Sequence, residues 1–306
     1  MSTNKVLKGV VLVGLGATSY GMLATFVKLA YADTSSTGLH YTPAEVISAQ
    51  FIIGIIALLG INLYQKNKKG NAVVKASPVD IKKLLILGTS TGLTSIFYYL
   101  AVKYIPVSIG IVLLMQTVWM GVILEMIIDK KIPSKVKIFS VLIVLFGTAL
   151  ATNLFYNKLT LDWRGVILGL LAAASFTTTM YAANKTALSI SSAQRSLYML
   201  LGGAAVVFVF ALFTQHTPFN FDIFYKWGLI IALFGTVIPP LLLNAGFPLT
   251  GIGLGSIVSA MELPVSVMMA FVVLGETVVF SQWIGILLII LAIVFMNIKF
   301  KSKITS

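Results

Sequence analysis

A chain of 306 residues that is 58% hydrophobic and only 10% charged is not a soluble globular domain, where roughly a quarter of residues carry charge. Its formal net charge of +13 would suit a nucleic-acid ligand, but lysines gathered between apolar runs are what membrane insertion requires, so no nucleic-acid partner is expected. The absence of cysteine excludes disulfides, thiolate catalysis and a cysteine metal site.

Ten apolar passes can be drawn, at about 9–32, 44–64, 81–103, 106–128, 136–156, 164–187, 193–214, 226–247, 251–273 and 281–299. They are read as helices, because an open sheet leaves backbone groups unpaired in lipid and the alternation of a barrel strand is missing. Met1-Ser2-Thr3-Asn4-Lys5 leads into the first pass without a small-residue cleavage site, so that helix is expected to be retained. This first pass carries Thr18, Tyr20, Gly21, Thr25 and Lys28. The third has a stripe of Thr91, Thr94, Ser95 and Tyr98 with Tyr99 beside it. In the fourth, Gln116 and Trp119 stand one turn apart near mid-membrane, and Glu125 and Asp129 lie at the inner end as expected partners of Lys130 and Lys131. The sixth carries Ser175, Thr178, Ala182 and Lys185, and Pro239-Pro240 with Asn244 marks a break or a kink in the eighth. In the ninth, Gly255, Ser259, Glu262 and Ser266 share one small, polar helix face.

With the N-terminus placed in the cytoplasm, seventeen of the 22 Lys and Arg fall inside and five outside, Lys103 and Lys158 among the five and Arg195 among the inner loop charges. Both termini are then cytoplasmic. The chain also repeats itself: Ile111–Trp119 slides onto Ile257–Val265, placing Gln116 on Glu262 and Lys130 on Glu276. Gly9-Val10-Val11-Leu12 returns as Gly165-Val166-Ile167-Leu168, and Ser48-Ala49-Gln50 as Ser192-Ala193-Gln194. The halves are 1–157 and 158–306, five passes each, and an odd count makes the second enter from the opposite side. The expected fold is an all-α integral membrane bundle of two inverted five-helix repeats.

These residues resemble a known family. Glu262-Leu263-Pro264, Leu274-Gly275-Glu276, Gln282-Trp283-Ile284-Gly285 and Tyr98–Tyr104 are similar to the motifs of EamA-type members of the drug/metabolite transporter superfamily. The first half departs from that pattern, with Thr117-Val118 where a proline is expected, Asp129-Lys130 in place of Gly-Glu, and Gln50 where a basic residue is common. The resemblance implies movement of small metabolites, often amino acids or related compounds and often outward. It also implies a cavity among helices 1, 3, 4, 6, 8 and 9.

A polar group in the middle of an apolar pass marks a candidate site. Glu262 is the foremost candidate, as an amine contact, a proton carrier or a structural hydrogen bond, and Gln116 with Trp119 is a recognition pair or interhelical glue. Tyr20, Tyr98 and Tyr99 are expected to wall an organic body, with Ser259, Thr178 and Asn244 as further contacts. Lys28 and Lys185 are near-equivalents in the two halves, and are gate residues pairing an acid or substrate in turn, or else snorkel to the interface. His40 and His216 fall in outer loops and no phosphate loop of the GxxxxGK type occurs, so no metal, cofactor, enzymatic activity or ATP drive is expected. The reading is a multi-pass protein of the cell (inner) membrane that moves a small organic molecule by alternating access, with protons a candidate coupling ion and oligomeric state open. A membrane enzyme, a lipid-handling protein and a passive channel are the alternatives.

Overall fold

The computed structural model describes residues 3–69, 74–101, 104–105, 107–154 and 162–304. Lys103 and Lys158 lie outside the described residues. The chain is helical almost throughout: α1 (Thr3–Ala32), α2 (Pro43–Lys69), α3 (Pro78–Ala101), α4 (Val107–Leu114), α5 (Thr117–Asp129), α6 (Lys135–Ala151), α7 (Trp163–Lys185) and α8 (Ser192–Thr214). A π-helical turn Phe224–Gly228, α9 (Leu229–Ala232), a second π-helical turn Leu233–Val237 and α10 (Ile238–Thr250) form one continuous pass. It is followed by α11 (Ile252–Ser259), α12 (Glu262–Leu274) and α13 (Phe280–Ile304). Among the described residues, eight helical runs are long and apolar enough to cross a membrane, and Phe280–Met296 is a shorter apolar helix. The molecule is a multi-pass membrane protein.

Two of the expected continuous passes are broken, and at matching places. In the second half the break follows from Pro264, which has no N–H to give the carbonyl four residues back. Leu263 N takes that Ala260 oxygen instead at 3.2 Å, and Met261 N bonds Val258 at 3.1 Å, so the chain tightens by one register before Glu262 opens α12. The first half reaches the same break without a proline. Gln116 N bonds Leu113 O at 3.1 Å, and the Gln116 side-chain Nε2 bonds the abandoned Val112 carbonyl at 2.9 Å. Here a side-chain amide accompanies the break that a pyrrolidine ring imposes in the other half.

In the eighth pass, where Pro239-Pro240 with Asn244 marked a break or a kink, the helix is not interrupted. The distortion lies upstream, in the two π-helical turns, and the chain stays helical through Pro239 and Pro240 at the start of α10. Ile238 N reaches Leu233 O five residues back, the wide-turn pairing that hands the helix over to two residues lacking donors.

Most packing runs between the halves. α1 lies on α10 and α12, α7 on α3, α8 on α2 and α3, α5 on α11, and α6 on α13. Glycines permit the closest crossings: a Cβ on Gly88 or Gly92 would fall on the backbone of Met199 or Gly203. α1 begins against the end of α10, with Gly9 at Gly246 and Thr250, and α7 ends against that same end, with Asn184 Nδ2 donating to Phe247 O at 2.6 Å. The leading helices of the two halves therefore run in opposite senses. Helix caps set the correspondence of α2 with α8. Thr42 and Glu45 form a reciprocal capping box, with Glu45 N to Thr42 Oγ1 at 3.2 Å and Thr42 N to Glu45 Oε2 at 2.8 Å, and so do Ser191 and Gln194. This places Thr42 on Ser191, five residues away from the matching of Ser48-Ala49-Gln50 with Ser192-Ala193-Gln194.

Candidate functional site

Glu262 is the first residue of α12, held at the break that Pro264 imposes. Gly21 of α1 packs directly on it; an added Cβ would meet the Glu262 carbonyl oxygen and the Val265 side chain. This contact sets Tyr20 beside the acid. Tyr20 stands edge-on to Phe176 of α7, ring centroids 6.1 Å apart, and the Glu262 carboxylate is within electrostatic range of both Tyr20 and Tyr98. Tyr98 meets Tyr99 at 6.4 Å, and Tyr99 meets Tyr31 at 6.3 Å. Tyr20, Tyr98, Tyr99 and Glu262 lie deep in the bundle, yet each keeps part of its surface uncovered, as groups facing an interior hollow do. Among the described residues Glu262 accepts no hydrogen bond and meets no cation.

The other predicted residues divide. Gln116 and Trp119 are a pair, with Trp119 Nε1 donating to Gln116 Oε1 at 2.8 Å, and Trp119 packs against the core cluster that also takes in Tyr20. Ser259 is buried and its hydroxyl donates to Gly255 O at 2.9 Å, so it is engaged by its own helix. Ser259 ends α11 and Glu262 opens α12, so the two stand on either side of the break. Thr178 is brought elsewhere. It shares an exposed stripe with Ile167, Leu171 and Ala174, on the side of α7 away from Phe176, and donates to Ala174 O at 3.0 Å.

Asn244 is buried in a polar lock rather than open to a ligand. Pro248 leaves the Asn244 carbonyl without its helical donor, and Arg195 Nη1 fills the gap at 2.6 Å. The Arg195 Nη2 group also donates to the carbonyls of Ala182 and Ala183 in the last turn of α7, where a cation suits the helix dipole. Asn244 Nδ2 donates to Ser196 Oγ at 2.9 Å. Arg195, expected among inner loop charges, is thus a buried cross-link of α7, α8 and α10.

Lys28 and Lys185 each hold an acid. Lys28 pairs with Glu276 just beyond α12, and Lys185 with Asp129 at the end of α5, 3.2 Å apart. The two pairs occupy equivalent places at opposite ends of the bundle, and both are formed at once. The equivalence is one residue off the sequence matching, because the half-helices end in left-handed caps at Lys130 and Gly275, φ 51° and 67°. The acid precedes the cap in one half and follows it in the other. Glu125 corrects a further expectation. It pairs not with Lys130 or Lys131 but with Lys137 of α6, and accepts from Gly253 N at 3.2 Å at the start of α11. Position for position, that ion pair corresponds to the edge-on rings of Phe271 and Trp283 in the second half, 5.8 Å apart.

Sequence reading missed a polar cap between the loop after α1 and the loop before α9. Asp33 accepts from Trp227 Nε1 at 2.9 Å and Thr34 N at 2.8 Å, and Asp222 accepts from Ser36 N at 2.6 Å. The Trp227 bond, helped by Thr34 and Lys226, holds the Asp33 carboxyl below the usual carboxylate range. Burial alone would raise Asp222, but Ser36, Tyr41 and Lys226 outweigh it and hold that carboxyl low as well.

Comparison with known proteins agrees with this architecture. No curated protein matches the chain. Among solved structures 29 chains match. One, titled only "Crystal structure of protein", superposes with a TM-score of 0.74 at 15% identity, covering 92% of this chain and 97% of its own, a likeness of fold alone. The sequence pattern of the EamA-like transporter family matches twice, over residues 7–153 and 163–298, once for each half. Two full repeats, each with its helix broken at the polar residue, place the molecule: it belongs to the EamA-like transporter family.

Proposed function

We propose that this protein is a secondary transporter that moves a small organic molecule across the cell (inner) membrane by alternating access. In this reading ten passes form two five-helix repeats inverted in the bilayer, with both termini cytoplasmic, and the substrate sits between the two helix breaks. One observation carries it. An acid without a partner among the described residues stands at one break, and two weak ion pairs, Lys28–Glu276 and Lys185–Asp129, stand at opposite ends. Opening one pair while the other stays closed would expose Glu262 to one face at a time, which is what two related bundles rocking about a central site require. Lys28 and Lys185 are then gates, and Glu262, Tyr20, Tyr98 and Tyr99 contact the substrate. Gln116 and Trp119 shape the facing wall.

The test is counterflow. Purified protein in proteoliposomes loaded with pooled metabolites should exchange at least one of them, saturably and chemically unmodified, and Glu262→Gln should reduce the rate more than tenfold. Conductance without saturation would make the protein a channel, and an altered product would make it an enzyme. Repeating the assay with an imposed pH gradient decides whether protons are the coupling ion.

A further inference from the structure

The charge and the surfaces around Glu262 restrict what can occupy the hollow. Three aromatic side chains keep uncovered surface there, Tyr20, Tyr98 and Tyr99, with the Trp119 indole in the same core region. Among the described residues no cation acts on the Glu262 carboxylate. The inward-lying cations described there are committed elsewhere. Arg195 is bound to three backbone carbonyls, Lys137 to Glu125, and Lys28 and Lys185 to acids at the two ends. Gln116 has one side-chain N–H on Val112 O and its oxygen on Trp119, leaving a single free N–H.

We infer that the hollow binds a small organic cation, a protonated or quaternary amine on an aromatic or aliphatic body, and rejects molecules that also carry a carboxylate. This rests on the transport reading above, since it names the ligand of that same site. An ionised acid out of water demands a counter-charge, and an ammonium supplies it. Ring faces add attraction for the same cation. The carboxylate of an amino acid would enter the same space and find tyrosine hydroxyls, one amide N–H and the repulsion of Glu262. Amino-acid-like cargo is what the family resemblance implies; the side chains present match its amine half only.

Three probes separate these cases: phenethylammonium, phenylalanine, which adds a carboxylate, and 2-phenylethanol, which removes the charge. By calorimetric titration of the detergent-purified protein at pH 7, phenethylammonium should bind at least tenfold tighter than either. Glu262→Gln should abolish that preference and Glu262→Asp keep part of it. Tyr20→Leu or Tyr98→Leu should weaken binding roughly tenfold, and the matching Phe variants less than threefold, because a phenyl face still attracts a cation. Elution volume and melting temperature check that each variant folds. Should Glu262→Gln fail to fold, the Asp variant and the Leu–Phe contrasts carry the test. Equal or tighter binding of phenylalanine, binding indifferent to Glu262, or no binding of the amine overturns the inference. Flux is followed with trimethyl(phenethyl)ammonium, whose permanent charge prevents passive leak. Amine binding with no counterflow of any solute would sink the transport reading and leave the ligand class standing. Counterflow of phenylalanine or phenylethanol without the amine would do the reverse.

Discussion

Gln116 and Glu262 occupy the same point of the two halves but have different duties. The amide is committed to the backbone it sits on, replacing a proline, whereas Pro264 relieves the acid of that task. Gln116→Leu should therefore cost stability first, about 1–2 kcal/mol for two lost hydrogen bonds in a partly buried setting. A lowered melting temperature and a shifted Trp119 emission would show it, with ligand binding weakened only secondarily; unchanged stability would contradict the assignment. The polar pair was legible in the sequence from its depth and its repeat, but the division of labour was not, because it depends on which carbonyl each side chain reaches. Arg195 was misread for a related reason. Charge counting assigns it to a loop, although Pro248 signals an orphaned carbonyl at Asn244 that something must satisfy. Arg195→Met should lower the melting temperature substantially, since it takes the Arg195 donors from the buried carbonyls of Asn244 and Ala183, at about 1–3 kcal/mol for each unsatisfied group, while Ala182 O keeps its bond from Thr186 N.

At the scale of helices, the passes were readable from apolar length alone, and their breaks were not. Faces drawn on an unbroken helix nine miss the tightened turn at Ala260–Met261, which leaves Ser259 in α11 and Glu262 in α12. Thr178 was assigned to the site from the stripe it forms with Ser175, Ala182 and Lys185. Thr177 and Thr179 are the buried ones, bonding Thr117 at 2.8 Å and Ser90 at 2.7 Å, while Thr178 turns outward with Ile167 and Leu171. The glycine pair of α3, Gly88 and Gly92 at four-residue spacing, makes a close crossing with α8. Gly92→Val should force α3 off the Gly203 backbone and lower thermal stability by several degrees, a bulky β-carbon having no flexible neighbour to displace. The polar cap makes a prediction of its own. Asp33 and Asp222 titrate below their unfolded value of about 3.9, so the stability they lend is complete above that pH and is lost as pH falls through their lower native values. Protection of the Thr34 and Ser36 amides against hydrogen exchange, relative to the intrinsic rate at each pH, should fall as the medium is acidified below about pH 4, with the α3–α8 crossing unaffected.

For the molecule as a whole, the duplication was visible in residues, and the opposed run of α1 and α7 needed contacts to Gly246 and Phe247 at the end of α10. A chain without cysteine offers a clean background for topology. Lys130→Cys and Glu276→Cys, each probed with a membrane-impermeant maleimide, should label from opposite sides; labelling from the same side would remove the inverted arrangement. The register errors between the halves, one residue at the acid caps and five at α2, share a cause. Membrane sequences drawn from few residue types match at several offsets, whereas capping boxes and left-handed ends match at one.

The two end pairs are worth little. With both partners about half exposed, each falls in the class of surface ion pairs that contribute about 0–1 kcal/mol. If the halves rock as proposed, two fastenings that weak, matched in kind, add little to the preference for either shape. At 1 M salt, where the screening length shrinks to about 3 Å, both should slacken together. Spin labels across each mouth would then report broader distance distributions at both ends, with their ratio little changed and the exchange between shapes faster.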